Sequence, residues 1–222
     1  MKRKTRALAA AALCGMLTLG GCSRIIFPFL AQLFPKKKVA AQFTLPKKKR
    51  ILVFPDDLKQ PVSYPPIKRA LVEKLNALLL EKKLAAEVID YGKLDDLRGS
   101  DPDFNLRHVP TIGKRLGADL VIYANIQEFR LKDTPVDTLW RGRFAVRVKV
   151  VDSQTGRIWP DESAGHPVAV SEPDTVNASE SYGIQLSKAL AERLAVEIAG
   201  LFHTRWVDRT QLPPPSEEFQ TP

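Results

Sequence analysis

A run of apolar residues near the middle of the chain constrains its fold more than any other feature. Residues 119–124 read Asp-Leu-Val-Ile-Tyr-Ala, and the apolar character continues towards Phe129. Successive side chains of a strand point to opposite faces of a sheet, so a strand that is apolar at every position must be covered on both sides. The sequence therefore predicts a central strand in a sheet that is packed on both faces.

The segments around this strand switch between helical and strand-like periodicity. Residues 144–151 alternate in period two, as in a strand with one buried face, and Gly156 ends a predicted hairpin turn. Strands are predicted at 50–54, 87–91, 119–129, 144–151 and 157–159, and helices from Ile67, over 109–116 and over 179–202, with a loop at 93–108. This order, β-α-β-α-β-β-β-α, predicts an α/β (α+β) fold with one mixed β-sheet covered by helices.

The N-terminus has the pattern of a secretory signal. Basic residues at 2–6 precede an apolar stretch at 7–19, which is shorter than the about 20 residues that span a bilayer. The sequence Leu19-Gly20-Gly21-Cys22 follows, and it resembles the signal of bacterial lipoproteins. That resemblance implies cleavage between Gly21 and Cys22, a diacylglycerol thioether on Cys22, and an acyl chain such as palmitate on its new amino group.

The predicted location follows from this signal. Ser23, next to the lipidated residue, is similar to the class that is sorted to the outer membrane, with the domain facing the periplasm. Cys14 would leave with the leader and Cys22 would be modified, so the mature chain has no cysteine left for a disulfide. The alternatives are an ordinary cleaved signal peptide or an uncleaved anchor.

The charge of the chain is distributed unevenly. It carries 34 Lys and Arg against 25 Asp and Glu, a formal net charge of +9. Residues 1–50 contain twelve of the basic residues and none of the acidic ones, so residues 51–222 have 22 basic against 25 acidic side chains. A nucleic-acid-binding protein concentrates basic charge on its folded face, so the sequence predicts no nucleic-acid partner.

Four segments are expected. The signal peptide occupies residues 1–21, the lipidated Cys and a basic and apolar tether 22–49, the α/β periplasmic domain 50–202, and a Pro-rich C-terminal tail 203–222. Apolar residues at 23–35 could lie in the membrane interface, dock on a neighbour, pack on the domain or form a plain linker.

No catalytic motif is present in the sequence. Nucleophile-elbow, P-loop, dinucleotide-binding and zinc-protease patterns are all missing, so no enzyme activity, cofactor or metal is predicted. Polar loops at the ends of strands often carry binding residues, which favours 55–65 and 93–108 as a partner-binding edge. The candidate residues on that edge are Asp56, Asp57, Tyr64, Asp95 and Asp96.

Two segments resemble a known family. Residues 112–122 place Leu-Gly-Ala-Asp between a helix and an apolar strand, and residues 150–156 read Val-Val-Asp-Ser-Gln-Thr-Gly. Both are similar to segments of the CsgG-type and LpoB-type outer-membrane lipoproteins, which share the fold of the TolB N-terminal domain. The resemblance covers about residues 50–202 and implies a TolB-N/LpoB-like domain that binds another envelope protein.

Two departures from that family narrow the implied function. A CsgG-like pore needs hairpins whose strands alternate over about 9–11 residues, and the candidate segment 143–171 is interrupted at Pro160 and Pro167. Activators of peptidoglycan synthases carry a long tether across the periplasm, whereas residues 23–49 extend over about 90 Å at most. The sequence therefore does not predict a pore, and the activator remains one form of the predicted accessory factor.

We expect an outer-membrane-anchored lipoprotein with a non-catalytic protein-binding domain, acting as an accessory factor in envelope biogenesis or as an activator of a peptidoglycan synthase. Its expected contacts are the membrane, through the lipid, and an envelope protein or a second copy of the chain. No small-molecule substrate is expected. Two alternatives stay open: a subunit of a CsgG-like secretion or export assembly, and a small periplasmic hydrolase that uses Asp56 or Asp57.

Overall fold

The computed structural model describes residues 36–59, 61–62, 64–132, 139–172, 175–176 and 179–208. The signal peptide, the Gly21–Cys22 cleavage site and segment 23–35 lie outside these described residues. The chain divides into two units, residues 40–205 and residues 1–39 with 206–222. Strand β1 (Lys36–Val39) pairs with β10 (Arg205–Asp208) in a two-stranded sheet.

The larger unit is built on one mixed sheet. Its strands are β2 (Arg50–Asp56), β3 (Glu87–Val88), β4 (Leu120–Arg130), β6 (Arg143–Asp152), β7 (Gly156–Trp159) and β8 (His166–Ser171). They follow the order β3-β2-β4-β6-β7, with β8 also paired to β6. β2 runs parallel to β3 and β4, whereas β6 is antiparallel to its three neighbours. A separate pair joins β5 (Leu139–Trp140) to β9 (Thr175–Val176).

Within the described residues, four α-helices accompany the sheet, namely α1 (Pro66–Glu81), α2 (Tyr91–Ser100), α3 (Val109–Arg115) and α4 (Glu180–Gly200). α1 and α4 pack against each other on the first face of the sheet, over β2, β6 and β8. Their fully buried leucines recur at helical spacing, as the sequence predicts: Leu71, Leu75 and Leu79 on α1, and Leu190 and Leu194 on α4. The α/β (α+β) prediction is confirmed.

Helix α3 covers one end of the second face of the sheet. α3 packs against Val121 there. The approach is close, since a Cβ added to Gly113 of α3 would come within 2.7 Å of the Val121 side chain. Beyond Val121 on the same face, Tyr123 and Asn125 of β4 are only partly buried. Their partners on β6 are Lys149 and Arg147, so this end of the second face is polar.

The segment after the first helix differs from the sequence prediction. The strand predicted at 87–91 is limited to Glu87–Val88, and residues 91–100 form α2 instead of part of a loop. The carboxylate of Asp90 accepts the Gly92 N–H at 2.7 Å. This N-cap stabilises the first turn of a helix, so the chain becomes helical at Tyr91 and the strand does not continue. The prediction of a loop over 93–108 is therefore wrong over residues 93–100, which are helical, and a 3-10 turn, Phe104–Leu106, follows.

Packing begins before the predicted start of the domain. Leu45 is buried, and the N–H groups of Gln42 and Phe43 donate to the Leu201 carbonyl at 2.8 and 3.1 Å. The last residues of the predicted tether thus lie against the end of α4.

Strand β8 forms an outer edge of the sheet that the sequence does not predict. In the described part of the chain its only partner strand is β6. Pro167, opposite Arg147, has no N–H to offer, and the Ser171 carbonyl accepts a hydrogen bond from Arg193 of α4 at 2.9 Å. Both features limit further strand pairing at this edge.

Alanine substitutions at two glycines should change the free energy of unfolding in opposite directions. We expect Gly113→Ala to lower the free energy of unfolding by about 1–3 kcal/mol, because the new methyl would overlap Val121 and Ser153. Gly99→Ala on α2 should raise it by about 0.5–1 kcal/mol, since nothing lies within 4 Å and alanine favours the helix. Urea unfolding measures both, and equal effects would contradict the packing of α3 on the sheet.

Candidate functional site

Polar side chains meet on the second face where β2 ends. Asp56 is the last residue of β2, and Tyr123 and Asn125 lie beside it on β4. The Tyr123 hydroxyl donates a hydrogen bond to Asp56 Oδ2, and the Asn125 amide lies 3.4 Å from the same oxygen. Asp56 Oδ1 accepts the Leu58 N–H at 3.1 Å. Groups of the chain itself therefore bind both oxygens of this carboxylate.

The same contacts fix the protonation of Tyr123. Burial raises the pKa of Tyr123, and its hydrogen bond to Asp56 raises the pKa further, because a phenolate would face a carboxylate. Tyr123 consequently remains a hydrogen-bond donor at neutral pH. The Gln127 amide in turn donates to Asn125 Oδ1, which extends this polar network along β4.

Asp57 is held by a different partner. Its Oδ1 lies 2.9 Å from Lys68 Nζ of α1, and its Oδ2 accepts the Val62 N–H at 3.3 Å. Partial burial raises the pKa of Asp57, but the hydrogen bond and charge of Lys68 outweigh it, so the pKa lies below its usual value. Asp57 is thus an ionised partner of Lys68 that ties the loop after β2 to α1.

The other predicted partner-binding residues lie in a different setting from the one expected. Asp95 and Asp96 are exposed on α2, not in a loop. Asp95 lies 3.5 Å from Arg98, and the positive charge of Arg98 also lowers the pKa of Asp57. The structure thus brings Asp57 and Asp95 near one guanidinium. Tyr64 is partly buried against the core, and its carbonyl accepts the Ile67 N–H at 3.1 Å in the turn that precedes α1.

A buried carboxylate organises the loop after α2. Asp101 is only 7% exposed and accepts hydrogen bonds from Arg107 and Arg115. The hydrogen bond from Arg107 lowers the pKa of Asp101 to about 2, with further help from the Asp103 N–H and Arg115. These contacts fix the 3-10 turn, and Leu106 at its end is 81% exposed beside an open cleft of about 390 Å³.

The groups gathered here are the carboxylates of Asp56 and Asp57 with their hydrogen-bonding and charged partners. Within the described ranges, no group of three or more His, Cys, Asp or Glu side chains is placed to hold a metal ion. Asp56 and Asp57 are each bonded to neighbouring groups, as described above. Of the helices that the structure describes, none is long and apolar enough to cross a membrane.

Sequence reasoning missed part of this site. Tyr123 and Asn125 belong to the predicted central strand, and Arg147 and Lys149 alternate with the buried valines of β6. The period of two in the sequence shows which of these side chains share a face of their own strand. It does not show that the β4 residues lie opposite the β6 residues, because that depends on the register between the two strands.

Comparisons with known proteins give distant likenesses. No model of a protein family matches the chain, and no curated protein matches it. The chain is similar to a PelC dodecamer structure from Paraburkholderia phytofirmans, with 11% identity, 76% of this chain and 98% of that chain covered, and a TM-score of 0.41. It is also similar to lipoprotein GNA1162 from Neisseria meningitidis, with 15% identity, 68% of this chain and 99% of that chain covered, and a TM-score of 0.39. A minor lipoprotein from Acinetobacter baumannii is similar at 12% identity, with 68% of this chain and 89% of that chain covered and a TM-score of 0.37.

Likenesses at these identities and TM-scores leave the function to be inferred from the residues of this chain. The proteins just named include two lipoproteins and do not single out a CsgG-type or LpoB-type domain. The resemblance to that family therefore stays a prediction.

The Asp101 network predicts a specific pH dependence of stability. Because the pKa of Asp101 in the fold is about 2, below the usual value of 3.8, its contribution to stability is present above about pH 4 and is lost as the pH falls through 2. We expect Asp101→Asn to lower the melting temperature at neutral pH and to flatten its fall between these values. Asp96→Asn, on an exposed carboxylate of α2, is the control and should leave the profile unchanged. An Asp101→Asn profile parallel to that of the wild type would contradict the assignment.

Proposed function

We propose that this chain is an outer-membrane lipoprotein whose periplasmic domain binds another envelope protein and performs no catalysis. The lipid on Cys22 would hold the domain at the membrane, and the edge where β2 ends would meet the partner. An accessory role in envelope biogenesis, such as activation of a peptidoglycan synthase, fits this arrangement.

The state of the two candidate catalytic carboxylates carries the non-catalytic part of the proposal. A general acid or base needs a carboxylate that can reach a substrate proton. Asp56 is bonded to Tyr123 and to the Leu58 N–H, and Asp57 is paired with Lys68. These contacts favour a structural role for both and weigh against the hydrolase alternative.

Exposed apolar side chains support protein binding at this edge. Leu58, in the loop after β2, is 58% exposed, and Leu106 is the more exposed of the two. Phe104, in the turn that carries Leu106, has its ring 5.9 Å from that of Phe54, which brings the turn close to the end of β2. A rigidly held apolar side chain with a polar rim is typical of a contact residue.

The secretion-assembly alternative uses the same membrane anchor but a different partner. Its distinguishing property is a symmetric oligomer of this chain in detergent, whereas an accessory factor co-purifies with a different protein. The sizes of the two complexes separate these possibilities.

The anchor can be tested with the two cysteines of the chain. We expect the mature protein to begin at Cys22, to carry fatty acids, and to fractionate with membranes. Cys22→Ala should abolish the lipid and release the protein, whereas Cys14→Ala, in the leader, should change nothing. Intact-mass analysis is the measurement, and a wild-type chain that retains residues 1–21 without fatty acid would overturn the lipid anchor.

The binding edge can be tested by site-specific crosslinking in intact envelopes. A photo-crosslinking amino acid at position 106 or 58 should give a discrete adduct with one envelope protein. The same amino acid at position 184, which is exposed on α4, serves as the control and should not give that adduct. No adduct at any position, or the same pattern at all three, would contradict a partner at this edge.

A further inference from the structure

Four cations cluster on the polar end of the second face. Arg147 and Lys149 project from β6, and Arg157 projects from β7 next to Val151, one step further along the same face. Lys59 lies in the loop after β2, and its positive charge acts on Lys149. Partial burial lowers the pKa of Lys149, and the positive charges of Arg157, Lys59 and Arg147 lower it further.

Backbone carbonyls hold the two arginines in place. Arg147 Nη1 donates to the Gly165 carbonyl at 3.2 Å. Arg157 donates to the carbonyls of Asp161 and Glu162 at 3.1 and 3.4 Å. Gly165 has a φ of +91°, and a Cβ there would lie 3.0 Å from the Lys149 side chain, so this turn also packs against Lys149. The cluster is therefore preorganised by the turn between β7 and β8.

None of these four cations has a carboxylate within 4.0 Å in the part of the chain that the structure describes. Asp161 and Glu162, which follow Arg157 in sequence, are exposed, and they contribute only their carbonyls to Arg157. On the same face, Glu128 is paired with Arg130 and Arg143, and Asp56 is bonded to Tyr123.

Such a cluster works against the stability of the fold. Like charges on neighbouring strands repel, and they destabilise a sheet when no opposite charge lies between them. A local arrangement that opposes stability, yet is held by specific hydrogen bonds, is typical of a functional surface.

We propose that this cluster is a docking surface for an acidic segment of the partner protein, bound in an extended conformation. Arg147 and Lys149 are two residues apart on one strand, which separates them by about 7 Å on the same face. Acidic side chains two residues apart in an extended peptide have the same spacing. The inference rests on the proposed protein-binding function and adds the chemistry of the partner.

The shape of the surface favours a peptide over a small anion. Three of the cations lie on two neighbouring strands and the fourth lies in the loop after β2, so they are spread over a surface. None of the four lines the 390 Å³ cleft beside Leu106. A free phosphate would contact only part of the cluster. An extended acidic peptide can neutralise all four charges, and Lys59 directly follows Leu58 of the proposed binding edge.

Binding of a fluorescent oligoglutamate peptide to the full chain in non-ionic detergent tests this inference. We expect binding that weakens as NaCl rises from about 50 to about 500 mM, since the contacts are screened. Lys149→Gln with Arg157→Gln should weaken it by about tenfold or more. The melting temperature of this double variant should stay equal or rise, because repulsion is removed. The double variant Lys74→Gln with Lys188→Gln, on the helices of the other face, removes the same charge and should bind as the wild type does.

Four outcomes would overturn the inference. They are equal binding by both double variants; complete competition by inorganic phosphate; binding to vesicles of anionic lipid but not to the peptide; and a wild-type oligomer that the Lys149→Gln, Arg157→Gln change dissociates. The last result would identify a second copy as the occupant.

The crosslink at position 106 separates the two proposals. If its adduct forms and the oligoglutamate peptide does not bind, the docking surface is refuted and the protein-binding function stands. If no adduct forms at position 106 or at position 58, the proposed function itself fails.

Discussion

The register of β4 against its two neighbours is the constraint on which the rest of the structure depends. At its start, the Arg50 N–H donates to Asp119 Oδ2 at 2.8 Å, and the Asp119 N–H donates to the Arg50 carbonyl at 2.9 Å. This reciprocal pair aligns β2 with β4. A slip by one residue would turn Tyr123 and Asn125 into the core and expose Ile122, so the apolar face and the polar face are fixed together.

This dependence explains what could be predicted from the sequence. The central strand, the alternating strand β6, its hairpin and the long helices α1 and α4 are all predicted by local periodicity. Helix α2 was missed because its charged residues and two glycines suggest a turn, and only the cap at Asp90 and the burial of Leu94 make it helical. Strand β8 was missed because Pro167 favours an end to pairing, although an outer strand tolerates it.

The candidate site was predictable only in part for the same reason. Asp56 and Asp57 were recognised because they follow a strand in sequence. Their partners Tyr123 and Lys68 lie on other elements and come close only through folding. Net charge also failed to predict the cationic cluster. Residues 51–222 have fewer basic than acidic side chains, yet four cations lie near one another on the second face of the sheet.

The outer strand β8 has a consequence for how copies of this chain can associate. An open strand can act as a template on which another molecule adds a strand of its own. Here Pro167 lacks the donor that such a guest would need, and Arg193 already occupies the Ser171 carbonyl. Copies of the chain are thereby hindered from joining strand to strand along β8.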